Sequence, residues 1–308
     1  MDEVRIASDQ LSVVVARRGA ELHSLRWRPE GSPASGPGAG PGDPVEEHEL
    51  LWQAGEEWRR HAPVLFPTVG RVVDDEVVVD GQRYPMGQHG FARDLDFELL
   101  EASPSRTVLR LQDDEETRRH WPFPFALVVA YEVSGASLSV RWTVSTSGSR
   151  PMPFSLGWHP AFRWPLVDGA AKDDHRVVFA EEETAPVRRV RATLLTPEPE
   201  PSPVDGRVLP LSEGLFAEDA VVLEHLASRS LRYSGPGTPV LRLDLEGFPF
   251  LGVWSKPTGA DFVCLEPWAG LPSPEGWQGE VADKPHSLSV APGGVREVAC
   301  TVTVEAPG

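Results

Sequence analysis

FPFALVVAYEVSG at 123–135, followed by SLSVRWTVSTSG at 137–148, sets the fold class of this chain. In the second run Leu138, Val140, Trp142 and Val144 alternate with polar residues, the two-residue period of a strand with one buried face. Antiparallel sheets produce that pattern, and Gly135 marks the turn between the runs. On either side, LDFELLEAS (95–103), RTVLRLQDD (106–114) and HRVVFAEE (175–182) read as further strands. So do VLRLDLEG (240–247), FLGVWSK (250–256), DFVCLEPW (261–268), HSLSVAPGG (286–294) and REVACTVTVEA (296–306). The opening, VRIASDQLSVVVARRGAELHSLRWR (4–28), suits paired edge strands better than a helix. LSEGLFAEDAVVLEHL (211–226) fits a helical turn followed by a strand, and a brief helical turn is expected near 53–60. Many short strands separated by acidic, glycine and proline turns predict an all-β chain of stacked antiparallel sheets, with a barrel as the competing architecture.

The chain has 308 residues, enough for one large β-sandwich domain over 1–308, although length alone also permits two smaller domains. Its 31 prolines and 28 glycines punctuate apolar runs without a collagen-like period. GSPASGPGAGPGDP (31–44) and TPEPEPSPVDG (196–206) lack core-forming side chains and read as exposed, mobile loops. Acidic residues outnumber Lys plus Arg by 46 to 29, a formal net charge of −17. A field of that sign repels phosphate backbones and anionic lipid, so neither nucleic acid nor a membrane is an expected partner, while a neutral ligand is unaffected. Cys264 and Cys300 have neither metal-knuckle nor disulfide-framework spacing and read as free thiols. The first residues lack a basic then apolar leader, no apolar run reaches membrane-spanning length, and no dinucleotide or Walker loop occurs. The expectation is a cytoplasmic protein with no metal and no cofactor; its oligomeric state is left open.

Three segments carry chemistry: HGFAR (89–93), GWHP (157–160) and CLEPW (264–268). Two imidazoles and a carboxylate in turns or at strand ends can move protons near neutral pH. Pro160 biases His159 toward an extended backbone, which suits a preset general acid. Each residue also has an ordinary structural role: a loop or core hydrogen bond for His89 and His159, a solvated carboxylate for Glu266, an ion pair with Asp94 or Asp96 for Arg93.

With FPTVGR (66–71), YPMGQHGFAR (84–93), SLGWHPAF (155–162), PFLGVWSKP (249–257) and FVCLEPW (262–268) in order, the chain resembles the aldose 1-epimerase, or galactose mutarotase-like, family over about residues 10–305. The resemblance looks closest to its bacterial branch. It implies a large antiparallel β-sandwich, the galactose mutarotase-like supersandwich, with an open cleft for a small-molecule sugar. It further implies that Glu266 resembles the catalytic base and His159 the catalytic acid, with His89 as a substrate-binding histidine. Arg71 and Asp219, the latter in FAEDAVVL, resemble sugar contacts, and Arg93, Trp158 and Trp268 are further substrate-binding candidates. Asp219 competes with a loop-acceptor role, and both tryptophans with core packing. Where the family has an Asn-Arg pair, this chain reads VVDDEV (72–77). The expected reaction is cofactor-independent interconversion of the α and β anomers of an aldose. The alternatives are a non-catalytic carbohydrate-binding or sugar-sensing protein, or an epimerase for a modified or phosphorylated sugar.

Overall fold

Strands Ala126–Ser134 and Ser137–Ser145 form the hairpin that their alternation demands, with Val140 opposite Tyr131 and Trp142 opposite Val129. The computed structural model describes residues 2–30 and 47–307. The hairpin lies within a nine-stranded antiparallel sheet that runs from an edge at Val208–Pro210, through Arg176–Phe179, Ser230–Ser234, Val240–Glu246 and Val295–Glu305. Beyond the hairpin the sheet continues through Arg106–Gln112 to an edge at Glu98–Ala102. Along its central strands buried and partly exposed residues alternate, so one face packs inward and the other meets solvent.

The second large sheet has eight strands: Leu194–Leu195, Arg188–Arg191, Val221–Leu223, Phe250–Trp254, Phe262–Ala269, Leu156–Trp158 and Val64–Leu65 in order, with Ala161–Arg163 also paired to Phe262–Ala269. The opening segment forms a separate four-stranded sheet from Glu3–Ala7, Leu11–Ala16, Leu22–Trp27 and His48–Glu49. The nine-stranded sheet has free edges, so the two large sheets curl over one another as a supersandwich, not a closed barrel. Their facing side chains form one hydrophobic cluster to which Leu127, Val140, Trp142, Val221, Val253, Val263 and Leu265 all belong. At about 25 cal/mol per Å² of apolar surface, that burial is the main drive for folding.

Strand Phe262–Ala269 departs from this one-sided pattern, because all its residues are buried. Successive side chains point to opposite faces. Val263, Leu265 and Ala269 enter the main core, whereas Phe262, Cys264 and Trp268 belong to two smaller apolar clusters on the other face. The same split holds in Phe250–Trp254, with Leu251 and Val253 inward and Phe250 and Trp254 on the far side. The eight-stranded sheet therefore has a second, covered face, and Glu266 lies on it.

One expectation needs adjustment. No helix forms at 53–60; Ala54, at φ 52°, leaves the helical region and only a turn at 56–57 remains. The loop expected at 31–44 lies outside the described residues. Residues 196–206 have no strand, only single bridges from Glu200 to Val187 and from Asp205 to Val208. A one-turn helix at Glu213–Phe216 followed by strand Val221–Leu223 matches the expectation for 211–226. Cys264 and Cys300 are free and buried. Among the described residues no helix is long and apolar enough to cross a membrane.

Candidate active site

Glu266 sits in mid-strand opposite Gly252, where it is 1% exposed. Its carboxylate is almost wholly withdrawn from bulk solvent, so burial pushes its pKa well above the usual range, and the Asp219 charge adds to the rise. The opposing influence is the Trp268 indole, whose Nε1–H donates to Oε2 at 3.2 Å. Trp268 can lie across this face because Gly252 and Gly157 lack side chains. A Cβ on Gly252 would stand 2.5 Å from the indole, and one on Gly157 2.8 Å from it.

His159 follows strand Leu156–Trp158, held by its N–H donating to the Pro63 carbonyl at 3.0 Å. Its Nε2 stands 3.2 Å from Glu266 Oε2. Trp58 stacks on the imidazole with ring centroids 4.9 Å apart, while Trp254 and His89 meet it edge-on at 5.7 and 5.6 Å. Burial lowers the His159 pKa to about 3, helped by the Arg93 charge. The pair is best regarded as a unit that shares one proton, because a buried imidazolium and carboxylate in contact differ from their neutral forms by a single transfer.

His89 occupies a tight loop at φ 65°, a left-handed conformation that histidine tolerates better than most side chains. The loop is fixed by two hydrogen bonds with Gly70: the His89 N–H donates to the Gly70 carbonyl at 2.6 Å, and the Gly70 N–H donates to His89 Nδ1 at 3.1 Å. Burial, with His159, Arg93 and Arg60 adding to it, holds this ring neutral by driving its pKa well down. A neutral ring that accepts at Nδ1 carries its proton on Nε2, which becomes a donor. The Gln88 amide nitrogen is placed 3.2 Å from it; two N–H donors repel, so the carboxamide is turned to set its oxygen there as the acceptor.

Arg93 and Asp219 complete the polar set. Arg93 donates to the Gln88 carbonyl at 2.7 Å, its Nε forms an ion pair with Asp94 at 3.6 Å, so the structural role expected of it is also present, and burial brings its pKa to about 10. Asp219, at φ 67°, accepts the Ala220 N–H at 2.8 Å, so the loop-acceptor role is real. Burial nevertheless raises its pKa, and it faces the same space as Glu266. A cavity of about 190 Å³ is lined by His89, Arg93, His159, Asp219, Glu266 and Trp268, together with Gln88, Trp58 and Trp254.

Six of the eight residues singled out from sequence thus meet in one cavity. The other two are elsewhere. Trp158 is fully buried on the opposite side of the chain from His159 and packs on Trp142 at 5.6 Å, so it is a core residue. Arg71 is held by Asp75 through two hydrogen bonds of 2.6 and 2.5 Å and lines a neighbouring depression. Asp75 comes from VVDDEV, so the segment that departs from the family pattern is the one that engages Arg71. Trp58, Trp254 and Gln88 were not singled out from the sequence. Trp254 had a signal, since it shares the strand face of Phe250; Trp58 sits in an irregular loop and had none.

Two groups bring metal-ligand atoms within 4.8 Å of one another: His159 with Cys264 and Glu266, and Glu21 with His23 and His61. In the first, burial pushes the Cys264 thiol well up, so that it is protonated as the fold stands; in the second, the two imidazoles stack at 4.3 Å with planes 25° apart.

A buried acid–base pair, a neutral imidazole donor and an aromatic wall on a supersandwich agree with the likeness of this chain to known proteins. The aldose 1-epimerase family model matches residues 2–281. The chain belongs to the aldose 1-epimerase family. Protein LacX of Lactococcus lactis subsp. lactis is 32% identical over 258 residues, covering 79% of this chain and 85% of that protein. A galactose mutarotase-like protein from Lactobacillus casei superposes with a TM-score of 0.87 at 29% identity, covering 98% of this chain and 100% of that one. A galactose mutarotase related enzyme from Lactobacillus acidophilus gives 0.85 at 29% identity, covering 99% and 97%. In this aldose 1-epimerase family member the cavity lies on the covered face of the eight-stranded sheet, with Glu266 at its floor.

Proposed function

We propose that this protein interconverts the α and β anomers of a free aldose, with His159 and Glu266 as the proton-transfer pair. The observation that carries the reading is the 3.2 Å approach of His159 Nε2 to Glu266 Oε2 inside a cavity that also holds the His89 donor. O1 and the ring oxygen are bonded to the same carbon, so adjacent acid and base groups can serve both at once. With the shared proton on His159, the Glu266 carboxylate takes the O1 proton while the imidazolium protonates the ring oxygen. The C1–ring oxygen bond breaks and the C1–O1 bond becomes a carbonyl. The pair again holds one proton, now on Glu266, so no net acid or base is consumed. Rotation about C1–C2 presents the other carbonyl face, and the reverse transfers close the opposite anomer. His89 Nε2–H donates to sugar oxygen as charge develops, and Arg93, Gln88 and Asp219 supply hydroxyl contacts. The oxidation state never changes, and paired acid–base assistance contributes about 10²–10⁴-fold. The aldose 1-epimerase family and the galactose mutarotase-like relatives support the reading.

A second reading, sugar binding without exchange, is favoured by one observation: burial places the resting proton on Glu266 and not on His159. Anomer exchange followed by NMR over a panel of free and phosphorylated aldoses separates the two. The parent should accelerate exchange for at least one sugar, and Glu266→Gln and His159→Asn should each lose about 10²–10⁴-fold. Equal exchange in all three proteins would remove both residues from the mechanism, and binding with no acceleration by the parent would leave the second reading standing.

A further inference from the structure

We propose that Trp58 is a positioning residue for His159, one that fixes the imidazole edge-on to the sugar and lends its π face to the imidazolium form. The inference rests on the anomer-exchange reading of the same site. Trp58 lies over His159 with centroids 4.9 Å apart and planes 28° apart, an offset stack that covers the ring face and leaves its edge to Glu266. The indole is itself immobilised. Its ring packs against Phe262 at 5.5 Å and against Trp254 at 5.8 Å. Its backbone carbonyl accepts the Trp52 indole N–H at 2.8 Å, and Lys256 Nζ donates to the preceding carbonyl, of Glu57, at 2.7 Å. A side chain meant only to cover a sugar would not need to lie against a histidine face.

The charges around His159 show why such a face is useful. Arg93, on the helical turn Ala92–Asp94, and Arg60 both disfavour the imidazolium, as does the loss of water. His89 meets it edge-on from its own loop and is held neutral. From strand Phe262–Ala269 come Glu266, which favours the imidazolium only when ionised, and the protonated Cys264 thiol. The negative face of an indole attracts a cation, most strongly where water is excluded. The stack therefore opposes burial and the two arginines, and keeps the acid form within reach when the sugar arrives.

The test separates the π face from simple water exclusion. Trp58→Leu keeps the site apolar without a π face, and Trp58→Phe restores a ring; Ala is avoided because it admits water and raises the imidazole pKa for an unrelated reason. Because burial rests the shared proton on Glu266, a π face that favours the imidazolium acts on the protonation of His159 and not on the alkaline limb, which empties Glu266. The NMR titration of the His159 ring in sugar-free protein should therefore move down by about one pH unit in Trp58→Leu and by less in Trp58→Phe, and kcat/KM should fall in the same order with its alkaline limb unmoved. Coincident His159 titrations in parent and Trp58→Leu would overturn the proposal. Should Trp58→Leu fail to fold, Trp58→Phe against the parent carries the comparison at smaller amplitude. A parent without anomer exchange would sink the proposed function, whereas the ring titration would still decide the role of Trp58.

Discussion

Strand Ser137–Ser145 alternates between buried and partly exposed side chains, whereas strand Phe262–Ala269 buries all of its own. The first gives one face to the core and one to water. The second gives one face to the core and one to the cavity, where a carboxylate that would be solvated on the outer sheet is stripped of water instead. The regular sheet supplies a rigid support, and the face turned away from it supplies altered acid–base chemistry. Burial is the same physical operation in both, yet it stabilises Trp142 and destabilises the charge on Glu266.

Damage to the supporting strand should cost the most stability. Trp142 is fully buried against Trp158 and Phe248, and Trp142→Ala should cost about 3–5 kcal/mol, read as a lowered urea midpoint. The cost should fall near the lower end, because the Trp142 indole N–H has no partner among the described residues and its removal relieves that.

A pH series probes the cavity-facing strand in the same way. In the unfolded chain His159 and Glu266 titrate near their ordinary values of 6.5 and 4.5, whereas in the folded chain the histidine is lowered and the glutamate raised. Between those two values both states hold one proton on the pair, so it contributes no slope. Over the part of the range above 6.5 in which the raised glutamate keeps its proton, the folded pair holds one that the unfolded chain has lost and stability declines as pH rises; below 4.5 the unfolded chain binds the extra proton, and stability declines as pH falls. Each arm has a slope of about 1.4 kcal/mol per pH unit at most. Glu266→Gln should abolish the alkaline arm, so unfolding of parent and variant compared from pH 6 to 9 should diverge; parallel curves would contradict the raised glutamate.

A more modest change is expected at Gly252, where an added Cβ meets the Trp268 ring. Gly252→Ala should cost about 1–3 kcal/mol through overpacking and, on the anomer-exchange reading, lower kcat as well as raise KM, since the indole it displaces both walls the cavity and donates to Glu266 Oε2. Least of all should follow from Arg141, which lies on the solvent face of the regular sheet, 3.7 Å from Glu246. Arg141→Ala should change stability by no more than about 0.5 kcal/mol and leave exchange untouched.

The long strands were legible because period-two alternation is a local signal, and 123–148 shows it without help from the rest of the chain. The helical turn expected at 53–60 failed for a reason that propensity does not contain: Ala54 and the packing of Trp58 set that backbone. His89, His159 and Glu266 were found through their turn and strand-end settings and through the family resemblance. Trp158 was misassigned because its neighbour His159 faces the cavity, and consecutive residues of an extended chain face opposite ways. Arg71 carried the right donor but acquired Asp75 as a partner four residues on.

The all-β class, the strand inventory of the regular sheet and the residue types able to move protons are written in the linear chain, because each depends on neighbours a few positions away. That residues 89, 159 and 266 share one cavity, which of two faces each tryptophan serves, and how far burial shifts each titrating group all came from the assembled fold. Those outcomes depend on desolvation and on charges brought together from distant strands, quantities that no local pattern of side chains contains.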